Sequence, residues 1–296
     1  MSIPVLHMIN LDQKLVGHQK FLSCWVSCSQ EMSFLVDPGP PTSAAHLIDE
    51  LKALAITRLD YILLTHVHID HAAGAAHVLE AFPDARILCH EQGIEHMIDP
   101  TRLWQSSLSV LRPVAEAYGP PPPVPASSIA TLSEIEGAGI EVIPTPGHAA
   151  HHLSFLHEGT LYVGEAVGLR VPIPGHIYLR PATPRRFVLE VALDSIDRLL
   201  ALQPAPERMA FPHFGMVDDP VEYMKISRKQ MPHWVEIVRE LLRESADDLV
   251  GRAHERLLDA DPYYATVTLL DPDIQQRERL YLEQTLEGLV EYVRST

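Results

Sequence analysis

The stretch LLTHVHIDHAAG, residues 63–74, puts three histidines and an aspartate into six positions, straight after the apolar run from Asp60 to Thr65. Such a run marks a strand covered on both faces, and ionisable groups at its end need partners. In extended chain, residues two apart face the same way. His66 and His68 therefore leave the strand as a chelating pair. Asp70 and His71 follow where the chain must turn before a helix beginning at Ala72, and they address a second position close by. Ala72, Ala73 and Gly74 leave room for close backbone packing. Imidazole and carboxylate are the donors that borderline divalent ions such as zinc, manganese or iron(II) accept. A solvated turn that happens to be rich in histidine, in a chain with 17 of them, is the bland alternative and leaves the grouping unexplained.

Strand and helix signals alternate around this cluster. Residues 3–9, 21–28 and 33–36 read as strands, and Asp37-Pro-Gly-Pro-Pro stops the third because prolines cannot continue a ladder. Thr42 or Ser43 is expected to cap a helix to about Ala55. Residues 72–82 read as helix, 86–89 as strand and 91–118 as mostly helix, followed by the stiff loop GPPPPVP. A second strand series is expected at 140–143, 152–156, 161–163 and 208–211. A helix spans 187–202, with Val188, Val191, Ala192, Ile196 and Leu199 on one side. Beyond residue 220 only helix is expected, over 220–245, 248–258 and 273–294. Mixed elements followed by an all-helical tail predict an α/β core with a C-terminal cap.

Composition narrows the function classes. The chain of 296 residues is 46% hydrophobic, enough for one large domain or a domain with an appendage. No run is long enough for a membrane span. The start, MSIPVLHMINLD, has neither a basic region nor a continuous apolar stretch, so the expected compartment is the cytoplasm. A net charge of −16 argues against nucleic acid and anionic membrane as partners. A small molecule is the expected partner, and a homodimer stays open. Cys24 and Cys28 lie roughly 13 Å apart if extended, too far for a disulfide, and read as small buried residues.

The motif T-H-V-H-I-D-H resembles the H-x-H-x-D-H signature of the metallo-β-lactamase-fold hydrolase superfamily, which includes glyoxalase II, lactonases and phosphodiesterases. Further motifs follow in order: FLVDPG (34–39), PTPGHAAHHLSFL (144–156), LYVGEAVG (161–168) and FPHFG (211–215). The resemblance implies a four-layer αββα sandwich over residues 1–216, with a helical cap over 217–296. It implies that His66, His68 and His148 hold one metal, that Asp70, His71 and His213 hold a second, and that Glu165 bridges them. Asp37 would steady a ligand histidine through its far nitrogen. Glu165 departs from the family's aspartate and is one methylene longer, which leaves a weakened second site as the alternative. His151 and His152, beside His148, read as strand residues.

Two divalent ions, zinc first with iron or manganese as alternatives, would bring the pKa of water towards about 7. The function expected is thus a dinuclear metal-dependent hydrolase in which metal-activated hydroxide cleaves a small ester, thioester or lactone. Asp70 would pass a proton to the leaving group. A phosphodiesterase on the same scaffold and a metal-retaining binding or regulatory protein are the competing readings. A redox diiron enzyme would carry H-x-E-x-D-H, and His68 stands in place of that glutamate. The irregular-looking stretch 167–186 is the expected substrate rim, through His176, Tyr178, Arg180 and Arg185, with Tyr118 and Tyr223 as weaker candidates. The helical tail and the 95–130 segment are expected to form its walls.

Overall fold

A computed structural model describes residues 4–245 and 247–296. The first half runs β1 (Val5–Asn10), β2 (Ser23–Cys28), β3 (Ser33–Val36), α1 (Ala44–Ala53), β4 (Tyr61–Leu63), α2 (Ala75–Ala81) and β5 (Arg86–Leu88). Then come α3 (Glu91–Ile98), α4 (Thr101–Tyr118) and α5 (Leu132–Gly137). The second half runs β6 (Glu141–Pro144), β7 (Leu153–His157), β8 (Thr160–Tyr162), β9 (Leu169–Ile173), β10 (His176–Arg180), α6 (Leu189–Leu200), β11 (Arg208–Ala210) and β12 (Met216–Val217). Four helices close the chain: α7 (Pro220–Glu244), α8 (Leu249–Ala260), α9 (Pro262–Ala265) and α10 (Pro272–Ser295). The expected first strand begins at Ile3, which lies outside the described residues.

Strand order is β1-β2-β3-β4-β5 in one sheet and β12-β11-β8-β7-β6 in the other. Within the first sheet β3, β4 and β5 run parallel; within the second only β8 and β11 do. The period of two sorts the side chains. Phe34, Val36, Leu63, Leu88, Phe155, Tyr162 and Ala210 form one cluster between the sheets. Their neighbours Leu35, Ile62, Ile87, Leu161 and Met209 turn outward and join the buried faces of the helices. Phe34 and Tyr162 meet edge-on across the gap at 5.8 Å. This is the four-layer αββα sandwich, with a large helical C-terminal segment. The helix-facing cluster runs without a break into that segment through Trp234, Leu257, Leu282 and Leu289.

Three local expectations need correction. The stretch 167–186 is irregular only at its ends: over 169–180, β9 and β10 pair in a two-stranded hairpin with His176 opposite Ile173. Pro172 hid the alternation, and Pro174-Gly175 make its two-residue turn, Gly175 taking φ 75°. Helix α2 starts at Ala75, three residues late, because residues 71–74 are spent on the turn that carries Asp70 and His71. Neither Thr42 nor Ser43 caps α1 through its side chain; a 3-10 turn, Pro41–Ser43, precedes that helix instead.

Candidate metal centre

The ends of β4, β7, β8 and β11 bring the ligand-type residues together. His66, His68, His148 and Glu165 form one group whose ligand atoms all lie within 4.8 Å of one another, and Asp70, His71 and His213 form a second. Glu165 stands between the groups. Its Oε2 is 2.9 Å from His148 Nε2 and 3.5 Å from His71 Nε2, while Oε1 is 3.3 Å from His213 Nε2. His66 Nε2 and His148 Nε2 each approach His68 Nδ1 to 3.0 Å.

The far ring nitrogens explain why those atoms face inward. His66 Nδ1 lies 3.1 Å from Thr65 Oγ1, whose own hydrogen goes to Asp37 Oδ2 at 2.7 Å. His71 Nδ1 faces Asp37 Oδ2 at 3.3 Å, and His148 Nδ1 faces the Ala182 carbonyl at 3.0 Å. Each Nδ1–H therefore donates outward, which leaves the Nε2 lone pair for the centre. Asp37 is buried and holds both loops: it also accepts the Thr65 N–H at 2.8 Å. It does so from φ 53°, an uncommon conformation for a residue other than glycine.

The second strand series adds a support that sequence reasoning missed. His152 is fully buried; its Nε2 accepts the Glu165 N–H at 3.0 Å and its Nδ1 lies 2.8 Å from Thr145 Oγ1. It thus places the turn that carries Glu165. Gly164, at φ 57°, is needed there because a Cβ would lie 2.3 Å from His152 Nε2. The doubled histidine in GHAAHH was the available signal, and strand periodicity masked it. His151 sits near His66 and His68 without joining either group. Gly74 serves the first loop: a Cβ on it would press against the carbonyls of Gly39 and Pro38 at 3.0 and 3.1 Å.

Charge in the cluster is unbalanced. Burial, then the neighbouring imidazoles, pushes His66 well below its ordinary pKa, and burial with His148 pushes His68 down to about 3. Burial also opposes charge on His71, yet Asp70 together with Asp37 and Glu165 outweighs it and raises that pKa. Burial works against the Glu165 carboxylate too, and His148 and His213 overcome it, holding its pKa well below the usual range. Glu165 keeps its negative charge and draws positive charge into a buried place. His71 Nε2 is buried there with no hydrogen-bond partner. Imidazoles and carboxylates that together draw positive charge into a buried place, with one ring nitrogen left without a hydrogen bond, fit a divalent cation pair.

A cavity of about 290 Å³ opens beside the cluster, lined by His68, Asp70, His148, Glu165 and His213. Helix α4 supplies Leu103, Val110 and Leu111 to its wall, and α10 supplies Tyr281, Gln284, Thr285 and Glu287. The expected walls from the 95–130 segment and the helical tail are there. The expected rim is only partly there. Arg180 and Arg185 line the cavity, whereas His176, Tyr178 and Tyr223 do not. His176 is exposed at the hairpin turn. Tyr178 is buried and donates to Glu278 Oε2 at 2.6 Å. Tyr223 packs on Phe211 under the Arg170 guanidinium. Tyr118 is also buried and outside the lining.

Residues 21–207 match the family model described as the metallo-beta-lactamase superfamily. Among curated proteins, the chain is 24% identical over 248 residues to the metallo-beta-lactamase fold-containing protein ST1585 of Sulfurisphaera tokodaii, covering 78% of this chain and 90% of that one. It is 29% identical over 147 residues to a hydroxyacylglutathione hydrolase of Hydrogenovibrio crunogenus, a match spanning 48% of this chain and 44% of the relative. Among solved structures, the archaeal superfamily protein ST1585 from Sulfolobus tokodaii aligns over 97% of this chain and 98% of its own, with TM-score 0.67 and 21% identity. The helical tail is thus part of what the two folds share.

Proposed function

Because this chain belongs to the metallo-beta-lactamase superfamily, we propose that it is a dinuclear metal-dependent hydrolase of a small ester, thioester or lactone. The observation that carries this is the convergence of imidazole nitrogens and carboxylates into two adjoining groups, with His71 Nε2 buried and without a hydrogen bond. His66, His68 and His148 would hold one ion, Asp70, His71 and His213 the other, with Glu165 between them. Bound there, a pair of divalent ions would acidify water and polarise a carbonyl oxygen.

The chain's own residues do the rest. Asp37 holds His71 by its Nδ1–H and, through Thr65, fixes the tautomer of His66. His152 sets the position of Glu165 by its backbone N–H. Asp70 lines the cavity with its carboxylate partly exposed, the position from which a proton can be handed to a leaving group. Leu103, Leu111 and Leu169 line the same space and limit access of bulk water.

The test is a panel of chromogenic esters, thioesters, lactones and bis-aryl phosphate diesters, run on protein loaded with zinc, manganese or iron(II). Turnover of at least one carboxylic class, lost on chelation and regained on reloading, is the expected result. Cleavage of diesters alone would overturn the reading.

A further inference from the structure

The cavity beside the ligand cluster has apolar walls and no unpaired cation, and from this we infer that it accepts an uncharged, apolar acyl group, with Glu287 excluding anionic tails. The inference rests on the hydrolase reading only for the fate of that group. It starts from the walls. Leu103, Val110 and Leu111 of α4, Leu169 of β9, and the rings of Phe21 and Tyr281 surround the space beyond Asp70. Val110 is 51% exposed at the end of this apolar run, a valine with nothing over it. A volume of about 290 Å³ is at the lower bound for ligand sites.

Charge decides what can enter. Among the described residues, Arg180 and Arg185 are the only arginine or lysine side chains lining the cavity. Arg180 is buried and committed: its Nε donates to Glu278 Oε2 at 2.6 Å, and its Nη1 to the Pro181 carbonyl at 3.2 Å and Thr285 Oγ1 at 3.3 Å. Arg277 adds a further positive charge nearby, but it faces away, donating to the Gly17 carbonyl and lying 3.9 Å over the Phe21 ring. Arg185 is exposed, and its Nε donates to Glu287 Oε2 at 3.0 Å. An exposed pair of this kind contributes little to stability. Its consequence is local: Glu287 cancels the one cation that an incoming carboxylate could reach. An anionic tail would have to displace Glu287 or settle for the uncharged donors Ser106, Ser107 and Gln284 among the leucines and valine, and either costs affinity. A methyl-ended tail meets neither obstacle.

Two para-nitrophenyl esters of equal chain length separate the cases: the hexanoate, ending in methyl, and the adipate half-ester, ending in carboxylate. Metal-loaded enzyme should favour the hexanoate by about tenfold or more in kcat/KM, the scale on which one misplaced group is rejected. Glu287→Gln should narrow that ratio at least about threefold by freeing Arg185, and adding Arg185→Gln should restore it. In parallel, calorimetry with the matching hydroxamates, hexanohydroxamate and adipic monohydroxamate, reads the same preference without turnover. Equal binding, preference for the anionic tail, no binding of either, or a ratio unmoved by Glu287→Gln would overturn the inference. Hydroxamate preference without hydrolysis of either ester, or of any thioester or lactone in the panel, would leave the cavity's selectivity standing and sink the hydrolase reading. Equal hydrolysis with equal binding would do the reverse.

Discussion

Two buried charged clusters meet at Phe21, whose ring centroid is 4.6 Å from that of His213 and which carries the Arg277 guanidinium 3.9 Å over its ring. Around Glu278, every strong group has its complement. Oε2 receives Arg180 and the Tyr178 hydroxyl, Oε1 receives Arg277 at 2.9 and 3.1 Å, and Arg180 is further held by Thr285. Burial acts against the Glu278 carboxylate, and the two guanidiniums overcome it, holding its pKa down to about 2. Around Glu165 the opposite holds. Imidazole nitrogens face one another, and His71 Nε2, though 3.5 Å from Asp70 Oδ2 and Glu165 Oε2, makes no hydrogen bond. Burying charge is costly in both places; one cluster offsets the cost internally, and the other would be completed by the cations proposed for it. A satisfied buried network reads as architecture, and an unsatisfied one reads as a site.

The largest effect expected from breaking this contrast is at His68. His68→Ala removes an imidazole that both His66 and His148 approach, and should lower metal content and abolish hydrolysis together. Elemental analysis beside an activity assay checks this, and unchanged stoichiometry would show the ligand assignment to be wrong. Next comes Glu278→Gln, which strands Arg180 and Arg277 without an anion. Removing one partner of a buried ion pair costs about 3–5 kcal/mol, so the urea midpoint should fall steeply while the metal content of folded protein holds. Loss of metal with an unmoved midpoint would place Glu278 on the wrong side of the comparison.

These two clusters were also unequally legible in the sequence. His66, His68, Asp70 and His71 sit within six residues, and spacing alone groups them before any fold is known. His148, Glu165 and His213 came from motif resemblance, since nothing in periodicity joins positions that far apart. Glu278 gave no signal: in QQRERLYLEQ it reads as one charge on a solvated helix face. Apart from its neighbour Arg277, its partners Tyr178 and Arg180 lie on β10, and only the docking of α10 against the hairpin makes that pairing. The same hairpin was read as a loop because Pro172 and Gly175 are loop residues by composition, although cross-strand register accommodates both. Tyr178 and Arg180 accordingly looked like substrate contacts when their polar ends serve Glu278.

Asp37→Asn sharpens the contrast from the other direction, since it alters a residue that touches ligands without being one. Asparagine tolerates the φ of 53°, and its oxygen can still accept the Thr65 N–H. Its amide group, however, would face two donors, the Thr65 hydroxyl and His71 Nδ1–H, where Oδ2 accepts both. Losing such a support typically weakens metal binding about 10–100-fold. Competition with a coloured chelator should find that loss, with unfolding little changed by comparison with Glu278→Gln. If affinity is unmoved, the orientation of His71 does not depend on Asp37.

The smallest effect belongs to Thr285→Val. The hydroxyl accepts from Arg180 Nη1 at 3.3 Å, yet that nitrogen keeps the Pro181 carbonyl at 3.2 Å, and Thr183 keeps the Thr285 carbonyl at 2.9 Å. With the guanidinium still partnered, the loss should be that of a single net hydrogen bond, about 1 kcal/mol, and metal affinity should not move. A cost as large as that of Glu278→Gln would mean that the network has no redundancy, and its tolerance would then rest on Thr285 alone. A change in metal affinity would mean instead that the two clusters are coupled, through Phe21 between Arg277 and His213 or through the adjacent Pro181 and Ala182 carbonyls that hold Arg180 and His148.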